Sequence, residues 1–284
     1  MNGAPASAES DARAVVASAR AGEPDRYLAA LLAPRGARDA LLALAAFAAE
    51  VGRVPALVTR EPAMGDIRLQ WWRDALRAPA DQRTGHPVAD ALRRAMQRHA
   101  LPLDLLEFVI EARGMELEPE PFADDAALER YLWQSEGALF ALAGRVVGVP
   151  PSADADAGPA GRAYGLARLL MGLPRALSQG RVPISVSRLQ AAGLSPASLA
   201  AGEAGAAGVL AELRADAREH LAAARQHVAK LPRGLRTAFL PLALVEPYLR
   251  TMELPGVDPL REGVEIAPLT RVVRIAAAHW LGRL

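Results

Sequence analysis

Alanine, leucine, glutamate and arginine return every three or four residues along almost the whole chain, while alternating runs rich in Val, Ile and Thr are nearly absent. That spacing lays apolar side chains along one stripe of a 3.6-residue turn, whereas a half-buried strand needs a period of two. The chain is therefore restricted to an all-α fold. Helices are predicted at about 25–33, 36–51, 63–78, 86–99, 102–118, 124–148, 160–178, 186–192, 195–201, 207–231, 233–253 and 267–282. They are separated by Pro34, "REP" at 60–62, "EPEP" at 118–121, "VPPSADADAGPAG" at 149–161 and "AGEAGAAG" at 201–208. None of these breaks is long enough to separate independent cores, so 23–284 is predicted to be one domain. Residues 1–22 have no charged start followed by an apolar run, and are expected to be a flexible tail rather than a secretory signal.

Several function classes drop out on charge and chemistry. With 33 Lys and Arg against 32 Asp and Glu, the chain lacks the basic surplus of a nucleic-acid binder. It has no cysteine, and its five histidines (86, 99, 220, 227, 279) lack metal-ligand spacing, so no metal site is expected from them. No run of about 18 apolar residues marks a spanning helix. A cytoplasmic protein is expected.

The stretch "MGDIRLQWWRDAL", 64–76, concentrates two of the four tryptophans among charged residues. On a helical wheel Met64, Ile67, Leu69, Trp71, Trp72, Ala75 and Leu76 form one arc, and Asp66, Gln70, Arg73, Asp74 and Arg77 the other. Trp72 is expected to fill the core, with Gln70 and Arg73 left for a partner or a cavity rim. Arg68 falls inside the apolar arc, and Arg113 lies on the stripe Leu103, Leu106, Ile110, Leu117. A buried guanidinium keeps its proton and needs carboxylates or carbonyls. Glu50, Glu111, Glu116 and Glu136 are the candidate partners. The arginines are read either as structural ion pairs or as the lining of a cavity for an anionic ligand.

The run "AAFAAEVGRVPALVTREPAMGDIRLQWWRDAL" resembles the squalene/phytoene synthase family, as do "LLEFVIEARGMELEPEPFADDAALERYLWQSEGALFALAGRVVGV", "YGLARLLMGLPRALSQGRVPIS" and "LAELRADAREHLAAARQHVAKLP". The likeness covers about 25–284 and is nearest to the branch containing the mitochondrial complex I assembly factor. It implies the isoprenoid synthase fold, a single-domain helical bundle around a central cavity. In active members two aspartate-rich motifs face each other across that cavity and hold Mg²⁺ against a prenyl diphosphate.

This sequence departs from that pattern. Gly52, Arg53 and Ala56 stand where the first motif has aspartates, and 165–202 contains no acidic residue, with Arg168 and Arg175 among its only charges. Glu107 with Glu111, Asp125 with Glu129, and Glu212 with Asp216 have helical spacing but read as solvated faces. Glu116 and Glu136 sit in motif-like context and Tyr131 matches a family aromatic, so these three, with Glu50, are further cavity candidates. The resemblance then implies a non-catalytic protein without cofactor that binds a protein partner, such as a respiratory complex subunit, or a prenyl lipid. The alternative is a Mg²⁺-dependent head-to-head prenyl transferase with atypical carboxylates.

In "LTRVVRIAAAHWLGRL", 269–284, Leu269, Val273, Ala276, Trp280 and Leu284 share a face flanked by Arg271 and Arg274. That face either caps the bundle core or lies on an anionic membrane, on the inner membrane's cytoplasmic side.

Overall fold

The computed structural model describes residues 4–57, 61–79, 82–118, 120–263 and 265–284. Among them every regular element is helical: α1 Ala4–Gly22, α2 Pro24–Leu31, α3 Arg35–Leu57, α4 Pro62–Arg77, α5 Pro87–His99, α6 Leu103–Met115, α7 Asp125–Leu132, α8 Ala138–Val147, α9 Ala157–Ser178, α10 Val186–Ala191, α11 Pro196–Ala201, α12 Ala206–Lys230, α13 Val245–Thr251 and α14 Pro268–Leu281. A π-helical turn, Trp133–Gly137, joins α7 to α8, and a 3₁₀ stretch, Arg233–Leu244, leads into α13.

Local chemistry sets many ends. Asp124 caps α7 by accepting from the Ala127 amide at 2.8 Å, and Ser185 and Ser195 cap α10 and α11 in the same way. Prolines open α2, α4, α5, α11 and α14, where a missing amide hydrogen costs nothing.

α3 is the central helix. From Ala40 to Ala49 every residue is buried, so this stretch is apolar all round, as a helix surrounded by others must be. Among the described residues it alone is long and apolar enough to cross a membrane, yet most of it is packed inside the bundle.

The helix expected over 36–51 runs on to Leu57, and the one expected over 233–253 is 3₁₀ up to Leu244; two further expectations change. Of the segment expected to be a flexible tail, residues 1–3 lie outside the described residues and 4–22 are not a loose tail, because Ala4–Gly22 forms α1 and packs on α3. Val15 and Ala19, one turn apart, are buried, and Ser18 Oγ donates to Glu50 Oε1 at 2.6 Å. A Cβ on Gly22 would overlap Ala49, so the helix approaches α3 as closely as glycine allows. The helix expected over 124–148 carries the π turn in its middle. There α9 crosses so tightly that a Cβ on Gly161 would collide with the Gly137 backbone. Such turns swing side chains off the regular α-helical face, and this one delivers Ser135 and Glu136 to the interior.

Candidate functional site

A cavity of about 530 Å³ opens between α3 and α9, within the roughly 300–1,000 Å³ usual for small-molecule sites. α3 lines it with Ala48, Ala49, Gly52, Arg53 and Ala56, and α9 with Gly165, Arg168, Leu169, Gly172 and Arg175. On each helix these positions recur at three- and four-residue intervals and so share a face. The volume exists because most of these side chains are small.

The cavity floor is an ion-pair cluster in which Glu23, Arg26, Arg113 and Glu136 are buried and Glu116 and Arg168 half-buried. Arg26 on α2 donates to Glu23 at 3.0 Å and to Glu136 at 2.7 Å, and its guanidinium lies 5.1–5.2 Å from the ring centres of Phe140 and Tyr164. Arg168 donates to both oxygens of Glu23 at 2.6 and 2.7 Å, and stands 3.8 Å from Glu136. Arg113 pairs with Glu116 and lies 3.8 Å from Glu136. Tyr131 donates to Glu116 at 2.8 Å, and Arg181 to the Glu116 carbonyl at 2.9 Å. Three guanidiniums thus face three carboxylates. Burial by itself raises the Glu136 pKa, but Arg26, Arg168 and Arg113 overcome it and hold the carboxyl down at about 2. Burial pushes the Tyr131 hydroxyl well above its usual range, and Glu116 adds to that.

A second buried node adjoins the first. Asp25 accepts from Tyr164 at 2.8 Å and Tyr248 at 2.6 Å, and Arg271 of α14 lies 2.7 Å from its other oxygen.

Arg53, Arg113, Glu116, Tyr131, Glu136, Arg168 and Arg175 of the sequence-derived candidates line this cavity. Glu50 sits beside it, paired with Arg53 and Ser18. Four candidates lie elsewhere. Arg68 is exposed rather than buried, because α4 buries Leu69, Trp72, Ala75 and Leu76 while Met64, Ile67 and Trp71 remain accessible. Its apolar arc is wider than the surface its neighbours cover. Gln70 and Arg73 are on the exposed side, where Gln70 donates to Asp74 at 2.8 Å and accepts from Arg73 at 3.4 Å. Trp72 is 4% exposed and packs edge-on against Phe47 and His86, away from the cavity.

Sequence reasoning missed Glu23, Asp25, Arg26, Tyr164, Tyr248, Arg271 and Arg181. The one signal in the chain bears on the first three: "EPDR" at 23–26 sets three charges around the proline that opens α2.

The donors present do not fit Mg²⁺. Hard oxygen ligands would have to come from both walls, but α3 offers glycine, arginine and alanine, and α9 arginine and glycine. The buried Glu23 and Glu136 and the half-buried Glu116 are each engaged by guanidiniums, and Glu118 and Glu120, which also line the cavity, are exposed on the loop after α6 rather than on either wall. Among the described residues no group of three or more His, Asp or Glu is placed to hold a metal ion. The helically spaced acids that could have substituted lie off the cavity: Glu107 pairs with Arg77, Glu129 with Arg162, and both Asp125 and Asp216 with Arg188.

An all-helical bundle with a deep cavity between two central helices defines an isoprenoid-synthase-type protein. Solved structures agree: the chain superposes on a dehydrosqualene synthase with a TM-score of 0.77 (12% identity, 97% of each chain). It superposes on squalene synthase HpnC from Alicyclobacillus acidocaldarius with 0.74 (18% identity, 88% of this chain and 95% of that one). The squalene/phytoene synthase family profile matches residues 19–272, and the chain belongs to that family. It is 31% identical over 239 residues to the complex I assembly factor 6 homolog of Drosophila melanogaster, covering 80% of this chain and 71% of that protein. It is 26% identical over 284 residues to phytoene synthase of Thermus thermophilus, covering 98% and 96%.

Proposed function

We propose that this chain is a non-catalytic member of its family that holds an anionic prenyl-type lipid in the α3–α9 cavity and works with a protein partner of a respiratory complex. One observation carries the reading: the two facing walls present guanidiniums, glycine and alanine where metal-assisted ionisation of a diphosphate needs carboxylates. Arg53 and Arg175, exposed at the mouth on opposite walls, suit a phosphate or diphosphate head. The small residues behind them leave room for an apolar tail. Kinship with complex I assembly factors supports the partner.

The test is incubation with Mg²⁺ and farnesyl or geranylgeranyl diphosphate, with diphosphate release and binding followed in parallel. The expected outcome is binding that persists in excess chelator, with no turnover. Diphosphate release at an enzyme-like rate, on the order of 1 s⁻¹, refutes the non-catalytic reading and supports the transferase alternative. Binding that requires Mg²⁺ refutes the arginine-held head.

A further inference from the structure

α14 is turned so that its apolar stripe faces solvent. Leu269 and Trp280 are each 73% exposed and Val273 54%, while Ile275 and Ala278 on the opposite side are buried. The stripe is therefore not a cap on the core. The orientation is locked, because Arg271 projects inward to Asp25, itself held by Tyr164 and Tyr248. Rolling the helix to hide the stripe would strip a buried carboxylate of its cation, which is strongly unfavourable.

The ground beside the stripe is cationic. A groove of about 420 Å³ runs along α14 past Arg225, Arg250, Arg274 and Arg283. The acid that lines it, Glu246, is engaged by Arg218 and Arg250. We infer that α14 is a membrane-docking helix: Leu269, Val273 and Trp280 enter the headgroup boundary of a bilayer, and the groove arginines meet anionic phospholipid headgroups. A row of aliphatic and indole side chains flanked by guanidiniums is the pattern that lies in such an interface, where tryptophan is favoured. The charge complement selects an anionic lipid surface over a neutral one.

The test is co-sedimentation of the full chain, without prenyl ligand, with vesicles of phosphatidylcholine alone or mixed equally with phosphatidylglycerol. The chain should pellet with the mixed vesicles, weakly or not at all with phosphatidylcholine, and less at raised salt. Leu269→Ser/Val273→Ser/Trp280→Ser and Arg274→Glu/Arg283→Glu change exposed side chains, so each should keep its thermal midpoint. Each should lose at least about tenfold in binding, the triple-serine variant because the apolar side chains that enter the interface are gone and the other because every lost cation near the surface counts severalfold. A chain that stays in the supernatant with both vesicles overturns the inference. So does binding that the triple-serine variant leaves intact, or a dimer in solution that this variant dissolves, which would mean that a second copy covers the stripe.

Discussion

Replacing Glu136 by glutamine keeps the volume of the side chain and removes one of the three negative charges on the cavity floor. Arg26, Arg113 and Arg168 are then left with Glu23 and Glu116, an uncompensated cation around the buried Arg26 and Arg113. The carboxyl is held at about 2 against an ordinary 4.5, and at about 1.4 kcal/mol per unit this corresponds to roughly 3 kcal/mol of folding stability at neutral pH. Breaking a buried pair by deleting one partner costs a similar 3–5 kcal/mol, roughly. For a chain of 284 residues the thermal midpoint should fall by about 5–8 °C, measured by circular dichroism. The pH profile carries the same signature. Because the folded value lies below the unfolded one, the contribution is complete above about 4.5 and is lost as pH falls towards 2. The gap between wild type and E136Q should therefore close over that window. Glu107→Gln breaks the surface pair with Arg77, which solvent screens, and should leave the midpoint where it is. If E136Q melts with wild type at pH 7, the three arginines do not depend on Glu136 and the cavity floor is not the charge-balanced unit described.

Trp72→Ala empties a core position between Phe47 and His86 and should cost about 3–5 kcal/mol in denaturant unfolding; Trp71→Ala, at a half-exposed ring, should cost clearly less. Gly161→Ala forces a methyl into the Gly137 backbone and should lower the midpoint by an amount matching roughly 1–3 kcal/mol of overpacking, with loss of soluble protein as the extreme. Arg53→Gln/Arg175→Gln removes charge at the cavity mouth on exposed side chains; titration calorimetry should show farnesyl diphosphate binding weakened by at least about tenfold, with stability lowered by no more than about 1 kcal/mol, the contribution of the exposed pair with Glu50. Equal affinity for wild type and this variant would place the anionic head elsewhere.

The helical class, most element boundaries and the family were all readable from residue spacing and from runs such as "IRLQWWRDAL", because an amphipathic helix writes its period directly into its own sequence. Arg113 was recognisable as a buried cation for the same reason: it interrupts an apolar stripe within one helix. Arg68 looked alike and proved exposed, since the width of a stripe does not say how much of it neighbours cover. The tail expectation failed over 4–22 because alanine-rich α1 has few large apolar residues, and burial of Val15 and Ala19, its close approach to Ala49 and Ser18's bond to Glu50 make it a member of the bundle.

The cavity floor was out of reach altogether. Arg26 meets Glu136 across 110 positions and Asp25 meets Tyr248 across 223, pairings that no local period encodes. The sequence by itself determined that helices form and that the two cavity walls carry arginine, glycine and alanine. The packing of those helices decided which charges neutralise one another, and which side of α14 was left facing outward. Secondary structure is fixed by neighbours three and four residues away, whereas a buried charge is fixed by whatever distant carboxylate the packed helices bring within about 3 Å of it.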